Sequence, residues 1–436
     1  MSRLVLLSML FVLSGVSFAQ QLSLQDAIKI ALANNFSIRI AEKNLAISEN
    51  QNNWGRAGIY PSIDITVNER NSYSIDRNPV SFLGQLSDGA AVLSYSASPA
   101  ANLNWTIFDG FKVHINKQRL EQLEELSGGQ KAVVVENTIQ AIILSYYQAL
   151  LQQEKLDVSQ KVMAVSRDRL KAIELRHELG SAVTFDVLQV KTDYLSDSTR
   201  YVKQVIATQN AVRNLNLLMG VEVNKQYELL DAFSAPRESY EVAQLIEKME
   251  SSNANLQNQY LSLELSKQDV NLAKRSLYPV ISFNAGGSQS IRNTFIADRQ
   301  VQGNNLDFFA NFSLRFSLFN GLNAQITIQE TKLMEEVRTL ETDDLKRNLS
   351  IELQQQLSNY NGTKTMYDLA NTNEATAKLN MEMALERLNA GALSSFDYRD
   401  IQIGYLNAAI NTLEVTYQLI ESNTNLLRLT GGIIQE

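Results

Sequence analysis

Arg176-His177-Glu178-Leu179-Gly180-Ser181-Ala182-Val183-Thr184-Phe185-Asp186 occurs a second time as Arg387-Leu388-Asn389-Ala390-Gly391-Ala392-Leu393-Ser394-Ser395-Phe396-Asp397. Arg, Gly, Phe and Asp stand at matching places, and Gly180 and Gly391 are 211 residues apart. The separation holds on both sides. Phe108 and Gly110 match Phe319 and Gly321, Tyr194-Leu195 matches Tyr405-Leu406, and Asn214-Leu215 with Gly220 matches Asn425-Leu426 with Gly431. A repeat of this length is one structural unit used twice. Each copy interrupts a helical pattern with a glycine, where a helix C-cap favours a residue that tolerates positive φ. Thr184 in one copy, and Ser394 or Ser395 in the other, then offers an N-cap oxygen. Asp186 or Asp397 falls in or near the first turn of the next helix. Each copy therefore reads as the tip of an antiparallel helical hairpin.

The 436 residues would fill two or three ordinary domains. The repeat argues instead for two halves of one architecture, residues 20–233 and 234–436. A net charge of −8 argues against a nucleic-acid surface. The absence of cysteine removes disulfides, thiolate metal sites, cysteine nucleophiles and a lipid anchor on cysteine. His114 and His177 stand without a ligand pattern, so no metal is expected. No nucleophile elbow and no phosphate loop occur, so neither an enzyme nor a cofactor is expected. At the N-terminus, Arg3, the apolar run from Leu4 to Val16 and Ser17-Phe18-Ala19 read as a signal peptide spanning residues 1–19. The apolar run is too short to span a bilayer.

Period separates the rest. Residues 22–56 read as helix, with Ser23 as cap, until Tyr60-Pro61 breaks the pattern. Ile63, Ile65 and Val67, and later Leu103, Trp105 and Ile107, alternate with polar neighbours. They predict strands at about 61–70 and 95–108, joined by a polar loop. Phe108-Asp109-Gly110 closes the pair. Residues 111–179 hold no proline, and Gly128-Gly129 is their weak point. A continuous helix there would run about 100 Å at 1.5 Å per residue, and a return helix follows to 219. The second half repeats this plan: helix from 242 to 277, Tyr278-Pro279, strands at about 279–289 and 305–319, helices at 322–388 and 394–429. From Leu306 to Leu318, every second residue is apolar.

Segments of about ten residues with one apolar and one polar face are the mark of outer-membrane strands. Four strands cannot close a barrel, since barrels begin at eight and an open edge does not face lipid. Several chains would have to share one barrel. A small soluble sheet packed on the helices is the other reading of the same alternation.

These motifs, in this order and duplicated at constant spacing, resemble the TolC-type outer-membrane efflux proteins, over essentially all of the sequence after residue 19. The resemblance implies a mainly α fold with a small β component. Three chains would form a twelve-stranded outer-membrane β-barrel, four strands from each, continuous with a long periplasmic α-helical barrel. It implies an exit channel in the outer membrane, extending into the periplasm, that works as a passive duct with a periplasmic adaptor (membrane fusion) protein and an inner-membrane pump of RND or ABC type. An envelope-anchored structural or adhesive scaffold without channel activity is the alternative.

The resemblance also places candidate residues. Asp397 and Asp400 correspond to a carboxylate ring at the periplasmic constriction; taken alone, Asp397 reads as a first-turn acid and Asp400 as a solvated one. Asp186 corresponds to an acid that ties the closed tip to an arginine and a tyrosine, but those partners fall on Leu393 and Leu388, so apolar contacts are expected to shut this tip. Gly180, Ser181, Ala182, Gly391, Ala392 and Ser394 are the expected adaptor-docking surface, although capping alone explains the two glycines.

Overall fold

The computed structural model describes residues 20–76, 90–296 and 299–434. The expected signal peptide, residues 1–19, lies outside them. In chain order the elements are β1 (Gln20–Leu22), α1 (Leu24–Asn34), α2 (Phe36–Gln51), α3 (Trp54–Ala57), β2 (Ser62–Asp76), β3 (Ala90–Phe108), α4 (Lys112–Glu178) and α5 (Thr184–Met219). There follow β4 (Tyr227–Leu229), α6 (Val242–Ser252), α7 (Ala254–Lys274), β5 (Val280–Ile296), β6 (Arg299–Arg315), α8 (Asn323–Asn389) and α9 (Ser395–Leu429), with short 3-10 turns at Arg275–Leu277 and Gly432–Ile434. The chain divides into two compact units. Of the described residues, those in 20–42, 131–254 and 346–434 make up one, and those in 43–130 and 255–345 the other. Among the described residues, no helix is long and apolar enough to cross a membrane.

The second unit holds one antiparallel sheet in the order β2-β3-β5-β6. Its register aligns the apolar residues in rows across the strands: Ile63, Leu103, Ala285 and Ala310 form one row, Trp105, Phe283 and Phe312 another. The opposite face carries Ser62, Asn104, Asn284 and Asn311 in a row. The apolar face is open: Ile65 is 80% exposed and Phe312 74%. Two adjacent glycines tighten the β5–β6 hairpin. Phe309 lies over Gly286 and Phe308 over Gly287, on opposite faces, where a Cβ would come within 2.9 Å and 2.8 Å of the rings. Rings laid over strand glycines restore the packing that a missing side chain forfeits.

Several boundaries differ from expectation. The strands of both hairpins run further towards their loops, because backbone pairing continues where polar residues interrupt the apolar alternation: Arg70↔Ser96 to Asp76↔Ala90 in one, Ser290↔Asn305 to Ile296↔Arg299 in the other. Of the loop expected between the first two strands, residues 71–76 and 90–94 are strand, and residues 77–89 lie outside the described residues. At its other end β6 stops at Arg315, short of Phe316 and Leu318. Each junction from strand to helix then takes two left-handed residues in succession, Gly110 (φ 72°) with Phe111 (φ 67°) and Gly321 (φ 68°) with Leu322 (φ 66°). A non-glycine residue there costs about 1–2 kcal/mol. α4 passes through Gly128-Gly129 without a break. Asn258 occupies the space of a Gly129 side chain, its Oδ1 lying in the place of a Cβ.

The helices expected at 22–56 and 242–277 are each broken by an asparagine. Asn35 Nδ2 donates to Leu218 O at 2.7 Å, and its Oδ1 accepts from Ser37 N at 2.9 Å, capping α2. Asn253, between α6 and α7, donates to Leu429 O at 2.9 Å. The same halves meet again at two glycines of positive φ. A Cβ on Gly220 would lie 2.7 Å from Asn34 O, and one on Gly431 2.6 Å from Ser252 O. The first unit is thus built twice from one plan. Its core gathers Leu22, Ala27, Ala31, Ile142, Tyr146, Leu215 and Met219. β1 pairs in parallel with β4 beside it.

Candidate functional site

The helical tips belong to the first unit. α4 ends in a Schellman motif: Ser181 N donates to Arg176 O at 2.8 Å and Gly180 N to His177 O at 2.9 Å, with Gly180 at φ 74°. α8 ends the same way through Ala392 N to Arg387 O at 2.9 Å and Gly391 N to Leu388 O at 3.1 Å. The tips differ at the next helix. Thr184 is the first residue of α5, not its cap, and the capping position falls to Val183, which has no side-chain acceptor. At the second tip Ser394 caps α9. Its Oγ accepts from Asp397 N at 3.2 Å and donates to Asp397 Oδ2 at 2.7 Å. Phe185 and Phe396 bring their rings to 6.3 Å.

The expected site residues are thereby located. Asp397 and Asp400 are exposed on the first turns of α9, and Asp397 is engaged by Ser394. Asp186 is half-buried in the first turn of α5, and Leu393 is half-buried. Gly180, Ser181, Gly391, Ala392 and Ser394 are exposed, and Ala182 is half-buried with its carbonyl 2.9 Å from His177 Nδ1. Leu388 lines a cleft of about 280 Å³ together with Arg169, Ile173, Arg176 and Ser395.

Behind that cleft lies a cluster that the sequence did not disclose. Asp197 of α5 is 1% exposed and Arg399 of α9 is 9% exposed. Arg399 grips Asp197 with two bonds, Nη1 to Oδ2 at 2.6 Å and Nη2 to Oδ1 at 2.9 Å. Ser166 of α4 donates to Asp197 Oδ2 at 2.5 Å. Arg399 also reaches Gln402 Oε1 at 3.0 Å and lies 3.7 Å from Asp193. Arg169 is 9% exposed too and donates through Nη2 to Ser395 O at 2.9 Å and Ser395 Oγ at 2.6 Å. Its guanidinium stands 5.2 Å over the Tyr398 ring. Its Nε and Nη1 find no partner among the described residues.

The electrostatics follow from burial and pairing. Burial pushes the Asp197 carboxyl up, but the Arg399 and Ser166 hydrogen bonds outweigh it and hold the group below its ordinary value. Asp193 goes the other way. Burial raises it, Arg399 and Arg169 oppose incompletely, and the charges of Asp197 and Asp400 add to the rise. Burial likewise lowers Arg169. The bidentate pair joins α5 to α9 and Ser166 ties α4 to it, just behind the tips, and the charge of Asp400 reaches Asp193 beside it. In the sequence, Asp193 and Asp197 look like any exposed charges four apart. Only the burial of the facing Ser166 and Tyr398 distinguishes them. Among the described residues, no group of three or more His, Asp or Glu side chains could hold a metal ion.

A four-stranded sheet with an open apolar face, joined to two 67-residue helices and their shorter return helices, is the fold of outer-membrane channels. It matches the Campylobacter jejuni CmeC outer membrane channel with a TM-score of 0.73 at 16% identity, over 94% of this chain and 85% of that one. The outer membrane efflux protein pattern matches residues 27–221 and 245–432, and the chain belongs to that family. It is 22% identical over 379 residues to the outer membrane protein TolC of Vibrio cholerae, covering 85% of this chain and 78% of that protein. It is 18% identical over 416 residues to TtgC, a probable efflux pump outer membrane protein of Pseudomonas putida, covering 94% and 83%. The chain is an outer-membrane efflux protein, and these relatives support the channel reading and not the scaffold.

Proposed function

We propose that this chain is one subunit of a homotrimeric exit duct, shared by three copies and coupled through its tips to a periplasmic adaptor protein and, beyond it, to an inner-membrane pump of RND or ABC type. The observation that carries this reading is the sheet. It presents an apolar face of Ile63, Ile65, Val67, Phe308, Phe312 and Leu314 to the outside and ends in two edges, β2 and β6, that are unpaired among the described residues. Lipid accepts the face and rejects the edges, so other copies must complete the ring. In that ring Asp397 and Asp400 bring six exposed carboxylates to the periplasmic end, which attract cations and repel anions. The tip residues Gly180, Ser181, Ala182, Gly391, Ala392 and Ser394 offer small side chains, all but the half-buried Ala182 exposed, to adaptor hairpins. Leu388 and Leu393 supply apolar closure.

The test is assembly followed by conductance. The outer-membrane fraction is expected to yield heat-modifiable trimers that conduct in planar bilayers. In these trimers, replacing Asp397 and Asp400 together by alanine weakens block by divalent cations. A stable, water-soluble monomer with no conductance would sink the reading. Unchanged block in the double variant would remove only the carboxylate ring.

A further inference from the structure

The two hairpins of the large sheet agree residue for residue. β2 and β3 are paired from Ser62↔Asn104, β5 and β6 from Val280↔Arg315. The first strand of each hairpin is shifted by 218 residues, as Tyr60 is from Tyr278, and the second by 211, as Gly110 is from Gly321. Between the hairpins, β3 pairs with β5 through Trp105↔Phe283, Leu103↔Ala285, Asn102↔Gly286 and Tyr95↔Asn293. The counterpart of β3 is β6 and the counterpart of β5 is β2. Both lie at opposite edges of a sheet too small to close on itself. From these shifts we infer that β6 of one copy pairs antiparallel with β2 of a second copy in the register Phe316↔Ile65, Leu314↔Val67, Ser313↔Asn68 and Leu306↔Ile75, and that Tyr60 of the second copy seats on Gly321 of the first. The inference rests on the shared-ring reading and adds the register of its seam.

Three observations support it. First, β3 outruns its β2 partner. Pairing with β2 ends at Asn104, and β3 reaches Phe108 only because β5 holds Trp105, Thr106 and Phe108. β6 stops at Arg315, the counterpart of Asn104, and leaves Phe316, Leu318 and Phe319 exposed, Leu318 at 88%. The alternation of the sequence continues through these residues; what they lack in one chain is the strand that would hold them. Second, the chemistry matches across the seam. Phe316 meets Ile65, Leu314 meets Val67, Phe308 meets Tyr73 and Leu306 meets Ile75 on the apolar face, while Ser313 meets Asn68 and Asp307 meets Ser74 on the polar face. Glu69 and Asn71, opposite Phe312 and Ala310, are the polar exceptions. Third, the seating of Tyr278 on Gly110 is made inside the chain, where a Gly110 Cβ would stand 2.6 Å from Tyr278 Cβ. Its counterpart is not made there. Tyr60 is 69% exposed, and among the described residues nothing lies closer to a Gly321 Cβ than Asn323 at 3.9 Å.

The chain has no cysteine, so engineered pairs are its only thiols. Cα atoms directly opposite on antiparallel strands stand about 4.5–5.5 Å apart, within disulfide reach. Diagonal neighbours are about 7–8 Å apart. Trimers of the Ser313→Cys, Asn68→Cys variant are expected to become covalent dimers and trimers on oxidation, seen on a non-reducing denaturing gel. Pairing Ser313→Cys with Thr66→Cys or with Arg70→Cys is expected to lose these bands. Asp307→Cys with Ser74→Cys tests the same register elsewhere, should the first variant fail to assemble. Trimers that crosslink only through an offset pair, or through neither matched pair, overturn the register while the ring stands. A wild-type chain that forms no trimer overturns both.

Discussion

Asp197 and Arg399 form a buried ion pair in which each charge depends on the other. Both are almost wholly buried and doubly bonded. Breaking such a pair from one side leaves an uncompensated charge and costs about 3–5 kcal/mol, whereas replacing both partners by apolar residues is often neutral. Arg399→Met is therefore expected to destabilise by about 3 kcal/mol, and Asp197→Leu added to it to restore most of the loss; denaturant unfolding of the purified protein compares the three. The pH sign follows from the lowered Asp197 value. The stability from its ionised form is complete above the ordinary value of 3.8 and is lost as pH falls through the lower folded value. The acid limb of the stability curve should accordingly be shallower in Asp197→Asn. Two glycines make a second contrast. Gly180 has φ 74° and open space, Gly220 has φ 69° with Asn34 O in the path of a Cβ. Gly180→Ala pays only the left-handed conformation, about 1 kcal/mol. Gly220→Ala must also move the end of α1 and should cost clearly more, read as the difference in melting temperature.

At the scale of elements, periodicity placed both long helices and all four long strands, because those segments repeat an apolar pattern over many residues. It missed the breaks at Asn35 and Asn253. Either residue sits comfortably in a helical pattern until its side chain finds a carbonyl two hundred residues away, at Leu218 or Leu429. It missed the strand ends near the loops for a related reason: Glu69 and Asn71 interrupt the apolar face, and backbone pairing carries the strand across them to Tyr73 and Ile75. It located the tips from Gly180 and Gly391 but not the ion cluster behind them, whose members gain meaning only from packing. Gly128-Gly129 looked like a weak point and is instead a contact. Asn258 of α7 fills the space beside Gly129, and its Oδ1 is buried without a partner among the described residues. Asn258→Ala should relieve that unpaired oxygen and make room for a methyl. Gly129→Ala added to Asn258→Ala is then expected to stabilise by about 1 kcal/mol through helix propensity, whereas Gly129→Ala alone forces Asn258 aside and gains less. Thermal unfolding of the three variants orders them, and equal gains with and without Asn258→Ala would show that Asn258 yields freely.

In the proposed ring, α5 and α9 meet at two kinds of junction, one inside a chain and one between chains, and the repeat shows that they are chemically unlike. Shifted by 211 residues, Ser166, Arg169, Asp193 and Asp197 become Ala377, Asn380, Gly404 and Ala408, while Arg399 and Gln402 become Leu188 and Lys191. The ion cluster therefore has no counterpart at the junction between chains. What α5 presents there is apolar: Leu188, Leu195 and Val202, seven residues apart and each more than half exposed in the single chain, the spacing of a coiled-coil seam. An apolar seam of this kind tolerates trimming, because each contact is one of many and non-directional. The ionic junction does not, because its strength is concentrated in one bidentate pair. If the cluster holds the two hairpins of a chain together behind the tips, its loss should let them part while the trimer persists. Arg399→Met trimers are then expected to show higher single-channel conductance in planar bilayers than wild type. Leu188→Ala trimers should conduct as wild type does. Wild-type conductance in Arg399→Met, in a variant shown by gel to be trimeric, would mean that the buried pair stabilises the helices without holding the tip shut.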